Sequence, residues 1–286
     1  MGDHQKLPLP NFPYSLKVIL VKPSIEGNLG AIARNMLNFG FNDLNIVSPE
    51  LKIGEEARKR AKHAKSVLEN IKIYKSLDQA INDCSLVIGT SGKREFGDKT
   101  ITRHFLTPQE ISERIYSNNG KVGIVFGPEG QGLSQDELIS CDLLTSIPTW
   151  EGYPIMNLSH SVSAILYEFF KFHIDSNKSE DPSIINSSIS IERYLDPKIR
   201  QLLRTQLKEL EEALPWPESR KHSIAKTFVR TILRGNPTDL EVQQMLGVLI
   251  DSTTAIQYVN NNEKWKRNRK RRVEWKLIYL TNVPFW

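Results

Sequence analysis

Four short stretches of this chain combine glycine, proline and small polar residues in a way that suits ligand binding or catalysis. VFGPEGQGLS, Val125 to Ser134, sets three glycines and a proline around Glu129, directly after an apolar run. Glycine carries an entropic cost that is offset where the backbone takes positive φ or lets another molecule come close. PSIEGNLG, GTSGKRE and IPTWEGYPIMN repeat the pattern, each after a run rich in β-branched residues. One Gly-Pro-x-Gly alone reads as a tight turn; the pattern four times over reads as a site.

Familiar chemistries can be tested against these stretches. GNLGAIA lacks the middle glycine of a dinucleotide fingerprint, so a nucleotide-dependent enzyme of Rossmann type is weakly supported. SGKR has the Gly-Lys of a phosphate loop, but Arg94 stands where Ser or Thr would bind magnesium. No GxSxG elbow and no HExxH spacing occur, and Cys84 and Cys141 lack zinc spacing, so serine-hydrolase and metal chemistry are not expected. Both cysteines read as small buried hydrophobes. Arg34 lies off the apolar face of its expected helix and can reach outward, a position that taken alone favours a solvated arginine. The basic run in EEARKRAKHAKS, taken alone, reads as a solvated helix face.

The elements that would position these residues alternate in type. Strands are expected over 16–22, 43–49, 71–74, 85–90, 121–126 and 143–148. Between Gly27 and Gly40 the spacing of Leu29, Ile32, Ala33, Met36 and Leu37 predicts a helix, with Asn28 as its N-cap and Gly40 as its stop. Leu158, Val162, Ile165, Leu166, Phe169 and Phe170 predict another. The alternation implies an α/β fold, a mainly parallel sheet with helices on both faces, and in such sheets ligands gather beyond the carboxyl ends of the strands. Residues 174–190, poor in large apolar side chains, read as a linker. Beyond them Asp196-Pro197 opens a small all-helical region, with further helices over 217–233 and 237–258.

The net charge of +5 is unevenly spread. Lys264 to Lys276 holds eight Lys or Arg against one Glu, which leaves 30 basic and 32 acidic residues elsewhere. Interleaved with Trp265 and Trp275, this run suits polyphosphate contact with base stacking, or else a solvated terminus. A hydrophobic share of 39%, no membrane-spanning run and two cysteines point to a globular protein of the cytoplasm with no membrane partner.

In order along the chain stand Asn28, Gly30 and Arg34 as N-x-G-x-x-x-R, then GTSG, FGPEGQGLS and IPTWEGYPIMNLSHSV. Together they resemble the SPOUT-class RNA 2′-O-methyltransferases, within them the TrmH and TrmJ-like group, from about Leu16 to His173. LRGNPTDLEVQQMLGVL is similar to the TrmJ branch, which methylates a ribose of the tRNA anticodon loop at position 32. The resemblance implies a C-terminal trefoil knot in the sheet domain, S-adenosylmethionine as cofactor, tRNA as partner, no metal, and a homodimer whose neighbouring subunit completes the active site. It matches Thr90, Ser91, Gly92, Gly127, Ile147, Pro154, Ile155 and Met156 to the cofactor pocket. Arg34, Asn28, Glu129 and Asn157 match the catalytic centre. Residues 14–174 would form the methyltransferase domain, 175–190 the linker and 191–286 the helical extension with its basic tail. One departure is visible: many relatives place Ser before Leu-Asn where this chain has Pro154-Ile155-Met156-Asn157, so a mechanism that needs that hydroxyl is not supported. Two other readings stay open, a non-catalytic RNA-binding protein with this fold and a methyltransferase acting on rRNA.

Overall fold

The computed structural model describes residues 7–48, 53–92, 105–178, 195–235 and 237–266. Seven strands form one sheet in the order β3-β2-β1-β6-β4-β7-β5, every neighbouring pair parallel. They are β1 (Ser15–Val21), β2 (Asp43–Val47), β3 (Lys72–Tyr74), β4 (Leu86–Thr90), β5 (Phe105–Leu106), β6 (Lys121–Phe126) and β7 (Leu143–Thr145). All six strands expected from the sequence are present, the last ending three residues early. The two residues of β5 carry too little pattern to be read in advance.

Both faces of the sheet are covered, as a parallel sheet requires. Along β1, Val18 and Leu20 enter one core with Leu44, Ile46, Ile88 and Ile124. Ile19 and Val21 enter the opposite core with Val87, Val125 and Leu144. This two-residue alternation follows from strand geometry. Helices α1 (Glu26–Asn38), α2 (Glu55–Ala61), α3 (Lys65–Glu69), α5 (Pro108–Tyr116) and α7 (Leu158–Lys178) contribute to the first core. Helices α4 (Leu77–Ala80) and α6 (Gln135–Ser140) contribute to the second.

Helix α1 has the buried face its spacing predicts: Leu29, Ile32, Ala33 and Met36 are fully enclosed. Each of the larger three stabilises the fold by about 1.5 to 3 kcal/mol through burial. Gly40 takes φ +79° just past the helix end, as expected of a C-terminal stop. The start differs from expectation. Ile25, not Asn28, occupies the N-cap position and makes no side-chain cap. Asn28 lies inside the first turn and is buried, because its carboxamide is committed sideways to other loops. Gly30 serves helix packing: a Cβ there would stand 2.1 Å from the Ala57 carbonyl oxygen, so any side chain would push α2 off α1.

Helix α7 continues through Lys178, into the stretch expected as linker; residues 179–194 lie outside the described residues. The C-terminal region is three-helical: α8 (Pro197–Ala213), α9 (Glu218–Arg234) and α10 (Asp239–Val259). Asp196 caps α8 by accepting from the Lys198 amide, and Leu203, Leu207, Val229, Leu233, Val242 and Leu246 form its core. A buried ion pair fastens this unit to the sheet domain. Arg200 donates from Nε and Nη2 to the two oxygens of Asp142, at 2.8 and 2.9 Å. Arg204 and the Val87 amide donate to the same carboxylate. Of the basic tail, Lys264, Trp265 and Lys266 are described: Lys264 pairs with Glu212, Lys266 with Glu263, and Trp265 meets Tyr258 edge to face. The rest of the tail lies outside the described residues.

Candidate active site

Strand order explains how four distant stretches meet. β1, β6, β4 and β7 are consecutive neighbours, and all run the same way. Their carboxyl ends therefore deliver PSIEGNLG, FGPEGQGL, TSG and IPTWEGYPIMN to one edge, the position where open parallel sheets bind ligands. The strand ends are tied laterally. The Ser91 amide donates to Thr145 O at 3.0 Å, and the Thr90 hydroxyl to Val125 O at 3.0 Å.

Between three of these loops lies a cavity of about 260 Å³. Thr90, Ser91, Gly92, Gly127, Ile147, Pro154, Ile155 and Met156 all line it. Its volume stands just below the roughly 300 to 1,000 Å³ usual for small-molecule sites. The glycines of the opening stretch have separate reasons. A Cβ on Gly127 would fall 2.2 Å from Gly132 C and from Leu133 N, because the loop folds back on itself there. Gly130 and Gly132 take φ of +83° and +72°, which a side chain would oppose. Their surroundings are open. Gln131, Leu133, Leu138 and Ser161 also line the cavity; the first two and Ser161 fall within the marked stretches without having been singled out, and Leu138 is brought in by the first turn of α6.

Beside the cavity runs a chain of hydrogen bonds. The amide and hydroxyl of Ser24 each donate to Glu129 Oε2 at 3.0 Å, and Asn28 Nδ2 donates to Oε1 at 2.8 Å. Asn28 Oδ1 accepts from Asn157 Nδ2 at 3.2 Å. Asn157 Oδ1 in turn accepts from the Ser159 amide and hydroxyl, capping α7. Burial pushes the Glu129 carboxyl upward, but the donors from Asn28 and Ser24 outweigh it and hold the group below the ordinary carboxylate range. A carboxylate so held is a weak base and a firm acceptor, which suits orientation better than proton abstraction. Ser24 was not anticipated as a site residue, although its loop was.

Arg34 stands apart. It lies six residues beyond Asn28, about 9 Å along the helix axis, is exposed, and lines neither the cavity nor the hydrogen-bond chain. It opens instead onto a trough shared with Asn35, Asn38 and the first turn of α7. The structure therefore brings Asn28, Glu129 and Asn157 together but leaves Arg34 outside their cluster within one chain. The two cysteines are buried, as expected, and burial pushes both thiols up to about 12, far from nucleophilic use. Among the described residues no helix is long and apolar enough to cross a membrane, and no group of three potential metal ligands occurs.

A doubly covered parallel sheet with a glycine-lined cavity at the ends of three adjacent strands, and an amide–carboxylate chain beside it, is a ligand-binding α/β domain. The chain belongs to the SpoU rRNA methylase family, whose profile matches residues 15–167. It is 50% identical over 155 residues to the tRNA (cytidine-2′-O-)-methyltransferase TrmJ of Methanocaldococcus jannaschii, covering 54% of this chain and 67% of that protein. With the tRNA (cytidine/uridine/adenosine-2′-O-)-methyltransferase TrmJ of Pseudomonas aeruginosa it shares 28% identity over 263 residues, 88% of this chain and 98% of the other. The solved structure of TrmJ from Z. mobilis ZM4 superposes with a TM-score of 0.65 at 24% identity, over 82% of this chain and 96% of that one, which establishes likeness of fold.

Proposed function

We propose that this protein transfers a methyl group from S-adenosylmethionine to the 2′-oxygen of a ribose in tRNA, at nucleotide 32 of the anticodon loop. The observation that carries this reading is the cavity itself. Eight residues from three separate loops, matched in advance to a methyl-donor pocket, line one space beside Glu129, Asn28 and Asn157. The names of the Methanocaldococcus and Pseudomonas relatives support the tRNA ribose as acceptor. The description of the family favours a second reading, in which the acceptor is rRNA.

The residues present fit the cofactor. Hydroxyls and backbone groups of Thr90, Ser91 and Gly92 suit the edge of an adenine, and Leu138, Ile147 and Met156 form an apolar wall for its face. Gly127 lets its loop fold back tightly onto Gly132 and Leu133, which shapes that wall of the cavity. Bound there, S-adenosylmethionine supplies a methyl group made electrophilic by its sulfonium. The chain's own part is alignment and charge. Asn28 and Asn157, locked to Glu129 and to the cap of α7, form a rigid polar wall beside the cavity. The Arg34 guanidinium offers a fork of donors and no acceptor, so it grips a phosphate and stabilises charge on the attacking ribose oxygen rather than accepting its proton. Because Arg34 lies outside the cavity of its own chain, it serves the site of a neighbouring subunit in a homodimer.

The rest of the organisation belongs to the same proposal. The methyltransferase domain, with the trefoil knot of its class, runs from residue 14 to the end of α7 at Lys178, the stretch up to 190 connects it, and 191–286 form a tRNA-contacting extension in a cytoplasmic enzyme. The test is incubation with labelled S-adenosylmethionine and bulk tRNA, followed by nuclease digestion and mass spectrometry. Label in the 2′-O-methylated nucleotide 32 supports the reading. Label only in rRNA favours the second reading, and binding of tRNA without transfer would mean an RNA-binding protein that has kept the fold. Arg34→Ala should abolish turnover while calorimetric affinity for the donor stays near wild type; joint loss of both would make Arg34 structural.

A further inference from the structure

Against α1 and the first turn of α7 lies an open trough of about 600 Å³, separate from the cavity. Its charged lining is one-sided: Arg34, Lys59, Arg60 and Lys62 face a single carboxylate, Glu56, with the His160 imidazole at the far wall. Glu56 is taken by Arg60, whose Nε donates to it along α2. Arg60 has a packing task as well, since its side chain lies over Gly27 and Gly30, where any Cβ would strike it. Lys59 and Lys62 have no such task. Both are exposed and make no hydrogen bond or ion pair among the described residues. Lys62 also takes φ +52° where α2 breaks into a 3-10 turn, an unusual backbone for a residue with a long side chain.

The trough adjoins the hydrogen-bond chain through one helical turn. Asn157 caps α7 at Ser159, and Asn35 of α1 donates to the Ser159 carbonyl at 3.0 Å. Ser159 and His160 line the trough, while Leu158 and Ser161 of the same turn line the cavity. A polyanion lying along the trough is thereby led to the same helix turn that borders the cavity. Phosphates are the polyanion that isolated, unpaired lysines at the edge of a groove are suited to hold.

We propose that this trough is a track for the sugar-phosphate backbone of the RNA substrate, with Lys59 and Lys62 as its phosphate contacts. The proposal rests on the reading that the chain methylates RNA, and it assigns the run EEARKRAKHAKS a substrate-binding role where its composition suggested only a solvated face. Each neutralised phosphate of single-stranded nucleic acid lowers the slope of log K against log salt by about 0.7, and of a duplex by about 0.9. Removing two contacts should then reduce the magnitude of the slope by about 1.4 to 1.8 and weaken binding by about 25- to 60-fold at 0.1 M salt.

The experiment titrates tRNA into wild type, Lys59→Gln/Lys62→Gln and Lys59→Arg/Lys62→Arg across a salt series, with fluorescence anisotropy as readout. Calorimetric affinity for S-adenosylmethionine, unchanged in both variants, confirms that they are folded. The proposal expects the shallower slope and weaker binding in the Gln variant and recovery in the Arg variant. An unchanged slope in the Gln variant, while wild type transfers methyl groups to tRNA, overturns the track and leaves the proposed activity intact. An unchanged slope together with a shift toward monomer in sedimentation assigns the trough to a second copy of the chain and likewise overturns it. A wild type that transfers no methyl to any RNA overturns the underlying reading, and the track with it.

Discussion

Replacing Arg200 by methionine should destabilise the protein by about 3 kcal/mol, the lower end of the 3 to 5 kcal/mol typical of breaking a buried ion pair. The side chains of Arg200 and Asp142 are 2% and 0% exposed, and two hydrogen bonds of 2.8 and 2.9 Å join them. Removing the guanidinium leaves a carboxylate that cannot reach water. Asp142 keeps Arg204, 27% exposed, and the Val87 amide, which is why the lower figure is chosen. At about 2 to 4 °C per kcal/mol for a chain of 150 to 250 residues, the melting temperature should fall by about 6 to 12 °C. Scanning calorimetry of Arg200→Met, Asp142→Leu and the double variant supplies the cycle. Each single change should be severe, and the double change much less than their sum, because no buried charge is then stranded. A fall of under about 2 °C, or strictly additive losses, would show that the pair is screened like a surface salt bridge and that α8 is held by other contacts.

Other perturbations test the site. Gly127→Ala should lower donor affinity at least tenfold by calorimetry, because the added Cβ meets backbone 2.2 Å away rather than a yielding side chain; affinity within twofold of wild type would mean that the loop does not shape the pocket. Gly130→Ala should cost about 1 to 2 kcal/mol of stability through its φ of +83° alone, with nothing nearby to strike. Glu129, held below its ordinary value, contributes stability that is complete above the unfolded carboxylate pKa and is lost as pH falls through the folded one, so its acid limb should lie below the ordinary glutamate range. Glu129→Gln should therefore lower the rate without altering the pH–rate profile at neutral pH; a lost ionisation near neutrality would make Glu129 a base after all. Truncation after Lys266 removes six of the eight basic residues between Lys264 and Lys276 and should flatten the salt dependence of tRNA binding, whereas an unchanged slope would mark the tail as merely solvated.

What could be read in advance was local. Runs of β-branched residues mark six strands, and glycine and proline after them mark four loops, because each signal sits within a few residues. That the loops converge depends on strand order, which places β6 and β4 between β1 and β7 and has no local signature. Asn28 shows the same limit. Near a helix start it looks like a cap, yet its carboxamide answers to Glu129, 101 residues away. Arg200 is the clearest case: nothing near it in the sequence singles it out, because its partner, the buried Asp142, lies 58 residues away. The positions of Arg34 and Lys62 around one trough were equally hidden, since α1 and α2 meet only where Gly30 lets them.

The account stands on the cavity at the ends of β4, β6 and β7 as the place where the methyl donor binds. A crystal grown with S-adenosylmethionine measures this directly. The donor should lie within contact distance of Gly127, Ile147 and Met156, its methyl group turned toward the edge where Asn28 and Asn157 meet; a donor bound elsewhere, with this cavity closed, would contradict it.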